Sequence, residues 1–448
     1  MPSAQKQCRF LLGTLGHNQH IGNVARALYE SDALEAFYTG GVDQFRSPLG
    51  RAVRKLAASA YPRLESRLSR RRIPAVPPEL IFPDWRWEGL RLAARHLKVG
   101  LRVVDSVWER GELALDRRCA GLLRRDQFTA YFGVEHGALA AVQSARLLGK
   151  KSVVAFLSPH HSVHAEWVDA EFERFPEFLT PAVKKLQQLA KSRDARRDEE
   201  ARTSDVVHCA STFTARSLIR AGLATAEKLT IVPLGCPEVL DPDDSASDAS
   251  PSGKRGPVQF VWSGTVALHK GIRILLDAWR SLRPAHSGEL HLYGAVSVPL
   301  NRLGPIPSNV FFHGPVSAAE MNRGYQRANV LVFPTLCDGF GMVVPEAFAN
   351  SLPVITTFNA GAADLVKNGH NGFIVPARDT ERLTERLEWC LDHPEGLRTM
   401  RAAARETALQ WTWSDFRISF RAQLSERLGI PMGLPEEVLV LGSNRFRN

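Results

Sequence analysis

Short apolar runs recur along the chain, and the intervals between them carry apolar residues at helical spacing. Runs at 8–13, 36–39, 129–132, 152–157, 206–210 and 229–233 read as strands in the first half. Runs at 258–264, 290–294, 310–314, 330–333, 353–356 and 373–375 do so in the second. Between them, 24–31, 90–118, 137–148, 166–177, 184–202, 213–221, 272–282, 320–327, 342–350, 380–409 and 416–428 have helical texture, with Asn23 and Ser211 as expected caps. Alternation of this kind predicts an α/β protein with parallel sheets. The stretch 73–83 is rich in proline and reads as loop, and 184–202 as a solvated charged helix. A Pro/Ser/Asp/Gly-rich segment at 237–257 reads as a flexible linker. It separates a first domain, 1–236, from a second, 258–410, with a last helix and tail at 411–448.

Composition places the chain among globular proteins, with 44 % hydrophobic and 23 % charged residues over 448 positions. No apolar run reaches the length of a membrane span, and the first residues show no cleavage pattern of a signal peptide. Six cysteines without paired spacing suit a reduced, cytoplasmic setting. The net charge of +10 lies wholly in residues 1–240, so the first half is expected to meet something anionic. Leu49, Val53, Leu56, Ala60, Leu64 and Leu68 form a helical stripe flanked by arginines. It reads as a helix covering the sheet or as one lying on anionic lipid at the inner face of a membrane. Nucleic acid is not expected, because no recognisable binding module accompanies the charge.

The candidate chemistry lies at strand ends. The stretch 330–376 runs from a strand through Asp338 and Gly339-Phe340-Gly341 into a helix that carries Glu346, seven residues beyond Asp338. The first amides of that helix, Gly341 to Val344, are a natural seat for a phosphate, and Pro345 is harmless in the first turn. Two acids facing one cleft suit a polyol. A glycine loop follows at Gly361. Lys270 stands at another helix start, after Gly264, and would reach a phosphate as a point charge. His160, His161 and His164 follow the strand at 152–157, where open α/β sheets place their sites. Three histidines invite a metal, but no acids lie at a matching spacing, so none is expected. Gly16 and His17 sit in a polar loop after the first strand.

The stretch 330–376 resembles the donor-binding half of family-4 glycosyltransferases, retaining enzymes of the GT-B fold that use nucleotide sugars. The resemblance is strong over 258–380 and collinear over 129–236. It implies two Rossmann-like domains facing a cleft, with a C-terminal helix crossing back to the first. It implies a UDP- or GDP-sugar donor, a glycan or lipid acceptor and a role in polysaccharide or glycoconjugate synthesis, with no resident cofactor. Glu346 would hold the ribose. Asp338 and the backbone of Gly339, Phe340, Gly341, Met342 and Val343 would hold the sugar and distal phosphate. Val316 falls in the loop that cups the base. His160, or else His161, lies near the reactive carbon, and Gly16 and His17 near the acceptor. Two departures stand out. The first acid of the motif is usually Glu and here is Asp338. The usual arginine after Gly264 is Thr265, for which His269 could partly substitute. A GT-B epimerase and a non-catalytic GT-B scaffold are the rival readings.

Overall fold

The computed structural model describes residues 8–43, 52, 54–55, 71–73, 75–239, 256–283 and 288–433. Most of the stripe at 49–68, most of the linker and the tail from 434 onward lie outside the described residues.

Two parallel sheets organise the chain. The first joins β1 (Phe10–Thr14), β2 (Leu34–Thr39), β3 (Ile81–Pro83), β4 (Ala130–Val134), β5 (Lys151–Phe156), β6 (Val206–Cys209) and β7 (Leu229–Ile231) in the order β3-β2-β1-β4-β5-β6-β7. The second joins β8 (Val258–Ser263), β9 (Gly288–Tyr293), β10 (Val310–Gly314), β11 (Val330–Phe333), β12 (Val354–Thr357) and β13 (Gly372–Val375) in the order β10-β9-β8-β11-β12-β13. The central strands are buried on both faces, which is why they read as unbroken apolar runs rather than alternating ones. In each sheet the order reverses beside the first strand of the half, and the loops at the carboxyl ends of these strands face each other across a cleft. Open α/β sheets bind ligands at such switch points.

Four local expectations are corrected. The proline-rich stretch contains β3, which pairs Phe37 with Ile81 at the edge of the sheet, where Pro83 can be accommodated. The predicted helix 90–118 is two helices, Trp85–His96 and Leu101–Leu122. Lys98 (φ 52°) and Gly100 (φ 90°) turn left-handed between them and break the helical ladder. The first helix starts at Gln19, capped by Asn18, whose side chain accepts from Ile21 N, and not by Asn23. Lastly, 184–202 is not one solvated helix. It is Pro181–Lys191 followed by Asp194–Thr203, and Arg197 and Glu200 of the second are buried.

The final helix, Trp413–Leu428, crosses back to the first sheet. Its start is closed by a capping box of Thr412 and Asp415. Gln423 then makes a reciprocal pair with edge strand β7: Ile231 N donates to Oε1 at 2.8 Å and Nε2 donates to Ile231 O at 2.9 Å. Arg427 donates to Leu229 O at 2.9 Å. These bonds occupy backbone groups that an edge strand otherwise leaves open.

The halves also meet directly below the cleft. Ser211 Oγ donates to Gly339 O at 2.7 Å, and Thr212 N donates to Asp364 Oδ2 at 2.7 Å. The Leu157 carbonyl sits so close to Gly339 that a side chain there would collide with it.

Candidate active site

The cleft holds a cavity of about 610 Å³. The second half contributes His269, Lys270, Cys337, Asp338 and Gly339, and the first contributes His136, His161, His164, Asp194 and Arg197 among others. Gly271 turns the chain left-handed (φ 75°) between a short 3-10 turn, Leu268–Lys270, and the helix Ile272–Arg280. That turn aims Lys270 along the cleft. Its ammonium meets Asp338 Oδ2 at 2.5 Å and lies 5.7 Å above the Phe333 ring. Asp338 is further held by the Phe340 amide, which donates to Oδ1 at 3.2 Å. The lysine and the first acid of the motif thus form one ion pair on the cavity wall.

Glu346 lies apart. It is on the helix Val343–Ala349 and does not line this cavity. The buried Tyr325 hydroxyl donates to Glu346 Oε2 at 3.2 Å, while burial of the carboxyl raises its pKa despite that bond. Val316 is half-buried just after β10, beside the capping box of Ser317 and Glu320. Gly264 (φ 140°) and the exposed Thr265 also stand outside the cavity.

Several expected contacts are taken up by the protein itself. The Phe340 ring packs in the core, its amide serves Asp338, and its carbonyl accepts from Ala362 N at 2.6 Å. The Gly339 carbonyl is held by Ser211, and Gly361 donates to Asp338 O at 3.0 Å. A side chain at Gly339 would meet the Leu157 carbonyl of the first half, and one at Gly361 would meet the Gly339 carbonyl and Ser211, so both positions need glycine. Of the helix-start amides, that of Val344 is closed on Gly341 O at 3.1 Å, while Gly341 itself (φ 90°) makes the turn. Met342 and Val343 are half-buried. Burial and the neighbouring Lys270 push the His269 pKa down to about 4, so in this structure it brings no charge in place of the missing arginine.

Across the cavity, the histidines divide. His160 is buried behind the wall. Ser162 N donates to its Nδ1 at 3.2 Å, and its Nε2 lies 3.2 Å from Asp198 Oδ1. His161 lines the cavity, its ring tilted by 40° against that of His160 with centroids 3.8 Å apart, and its Nε2 lies 3.3 Å from the same Asp198 oxygen. Burial lowers the His160 pKa, with Asp198 acting against the shift. Facing the cavity is thus a property of the second-choice histidine rather than the first. The acids that spacing alone did not supply come from the helix Asp194–Thr203. The ligand-capable atoms of His160, His161 and Asp198 all lie within 4.8 Å of one another. They already satisfy each other, and Arg197 and Arg202 approach the same group, which works against a further divalent charge.

Gly16 and His17 are not brought to this cavity. Gly16 packs on the Trp108 ring, and His17 lines a separate pocket of about 380 Å³ with Arg26, Arg72 and Arg417.

Sequence reasoning passed over Asp194, Asp198, Arg197 and His136. The pair Asp194 and Asp198 has the i,i+4 spacing of a single helix face, but nothing in the pattern says which way that face points. His136 follows parallel strand β4 directly, the same signal that marks His160. It adopts φ 79°, and its backbone amide is held by Glu200, which also caps Ala138 N at 3.0 Å. Glu135 beside it accepts from Leu157 N at 2.9 Å and Ser158 N at 3.0 Å and pairs with Arg197. This buried network fixes the loops after β4 and β5 that carry the cavity histidines.

Two parallel-sheet domains with a cleft between their carboxyl-end loops, and a last helix returned to the first, define the GT-B fold. Solved structures agree. Anabaena Alr3699/HepE in complex with UDP superposes with a TM-score of 0.58 over 94 % of this chain and 99 % of that one, at 15 % identity. Sucrose-phosphate synthase from Thermosynechococcus elongatus gives 0.57 over 95 % and 99 %, at 17 % identity. Within that class, residues 257–393 match the family Glycosyl transferases group 1. The D-inositol 3-phosphate glycosyltransferase of Streptomyces griseus is 32 % identical over 168 residues. That match takes in 35 % of this chain and 35 % of the relative, so the chain spans about a third of the length of that curated relative.

Proposed function

We propose that the protein is a retaining glycosyltransferase that moves a hexose from a nucleoside-diphosphate sugar, with uridine or guanosine as the base, to an acceptor hydroxyl on a glycan or lipid. The observation that carries this reading is the Lys270–Asp338 pair, which faces His161 across a cavity between the two domains. The match of residues 257–393 to group 1 glycosyl transferases supports the donor class. Lys270 meets the distal phosphate and stabilises the charge that grows on it as the bond from the anomeric carbon to phosphate oxygen breaks. Asp338 turns from the lysine to the sugar hydroxyls. The acceptor oxygen bonds to the anomeric carbon on the face the diphosphate leaves, and its proton passes to the departing phosphate oxygen. Glu346, whose pKa burial raises, holds the ribose hydroxyls in its second-domain recess. His161, turned by Asp198, contacts the sugar at the reacting end.

Charge neutralisation by Lys270 makes a metal unnecessary, and activity should persist in excess EDTA. The discriminating test is incubation with nucleotide sugars alone and with candidate acceptors. Transfer product with a retained anomeric configuration is expected. An epimerised nucleotide sugar, formed without acceptor, would replace this reading with the epimerase one.

A further inference from the structure

The hairpin formed by Trp85–His96 and Leu101–Leu122 ends in an unusual surface. Leu97 is 70 % exposed, and Leu90, Leu92, Val99, Leu101 and Val103 are exposed around it. Interspersed among them are Arg95, Lys98 and Arg102, which form no ion pair among the described residues. Between positions 89 and 103 there is no acidic residue. The turn is well formed rather than loose: Leu97 N donates to Ala93 O at 2.8 Å and Val99 N to Ala94 O at 3.2 Å. The helix Pro181–Lys191 packs beside the second arm, also lacks acids, and exposes Leu186, Lys184 and Lys191. Exposed leucines in such number on one protrusion mark an interaction surface.

We infer that this hairpin tip and the adjoining lysine helix dock onto an anionic lipid bilayer. Three features select lipid over a protein partner. The apolar side chains alternate with cations instead of forming a dry patch rimmed by them, the pattern of an interfacial element. The surface is the short turn between two helices, which a fluid head-group layer accommodates, whereas a stable protein interface needs a broad complementary face. And the exposed charge is of one sign, complementary to acidic head groups. The stripe at 49–68, which reads in sequence as a helix either covering the sheet or lying on lipid, is a different segment.

Docking there has a geometric consequence. One turn inward from Leu101, Asp105 pairs with Arg193, whose neighbour Asp194 is in the cavity wall. Gln187, Ala190 and Lys191 of the lysine helix line the same cavity. The bilayer would therefore lie beside the cavity mouth. The inference rests on the surface itself and not on the transferase reading, so its test uses neither donor nor acceptor.

The test is flotation of the full chain with vesicles of phosphatidylcholine, with and without one-third phosphatidylglycerol, at low and high salt. Binding is expected only with the anionic lipid at low salt. The double variants Leu97→Ser/Leu101→Ser and Lys98→Gln/Arg102→Gln should each bind at least about tenfold more weakly. Because these side chains face solvent, both variants should keep the wild-type circular dichroism and melting temperature. In a second measurement, Leu97→Cys carries a polarity-sensitive dye. The six native cysteines are buried, so the new thiol is labelled selectively, and its emission should shift to the blue on anionic vesicles. The inference is overturned if the wild type fails to float, if the variants float equally well, or if the dye does not shift. It is also overturned if the leucine variant merely converts a dimer to a monomer on size exclusion, which would assign the tip to a second copy.

Discussion

Replacing Lys270 by Met separates the chemistry of the cavity from its stability. The Lys270 side chain is only 23 % exposed and its ammonium meets Asp338 at 2.5 Å, so a phosphate oxygen that displaces that carboxylate comes within similar reach. Two unit charges about 4 Å apart at an effective dielectric of about 20 interact by ~4 kcal/mol. Removal of one such preorganised donor from a developing anion typically costs a hundred- to a thousandfold in turnover, or about 3–4 kcal/mol. Stability should change far less. The pair is partly solvated, and Asp338 keeps the Phe340 amide, so the loss should stay near or below about 1 kcal/mol. That corresponds to a drop in Tm of only a few degrees for a domain of this size. The assay is initial-rate transfer at saturating donor, with thermal shift against the free nucleoside diphosphate. The expected result is a fall in kcat of at least about a hundredfold, a weaker diphosphate-induced shift and a nearly unchanged apo Tm. Lys270→Arg should recover part of the activity. A Lys270→Met enzyme within a few-fold of wild type would refute the role assigned to this lysine.

Three further outcomes follow from the geometry. In Asp338→Asn the lysine is released from its carboxylate, so the nucleoside diphosphate should bind more tightly by calorimetry while transfer falls; weaker binding would count against the pairing. Gly339→Ala forces the halves apart at the Leu157 carbonyl, so activity should fall at least about tenfold and limited proteolysis should become faster. Glu112 is buried near Glu200, and its pKa is raised to about 8. A carboxyl that binds its proton more tightly when folded stabilises at low pH, and that stability is lost as pH rises toward about 8. Above about pH 7.5 the buried histidines are neutral in the unfolded chain as well as in the folded one, and they no longer contribute to the slope. Wild-type Tm should therefore fall between about pH 7.5 and 8.5, and Glu112→Gln should flatten that fall.

The order of strands and helices was legible because central parallel strands must be apolar on both faces. The Asp338 loop and the helix bearing Glu346 were legible because strand, glycine turn and helix follow in register. What the pattern could not carry is which groups the folded chain consumes for itself. Phe340 and Gly361 have the right neighbours in sequence, yet their backbone groups close on Asp338 and Ala362. The reverse happened at Asp198. Within its own segment it is one charge among many, and only the packing of the Asp194–Thr203 helix brings it between His160 and His161. β3 escaped because an edge strand tolerates proline and makes little demand on pattern.

The helix Trp413–Leu428 also bears on how the chain comes off the ribosome. Gln423 completes strand β7 from 192 positions further along. The first half therefore emerges with one border of its sheet bare, and must wait through synthesis of the whole second half for its cover. Contacts of such sequence separation form late, and an uncovered strand is where nascent chains stick to one another. A chain cut short before Thr412 should for that reason need chaperone help that the full chain, once released, does not.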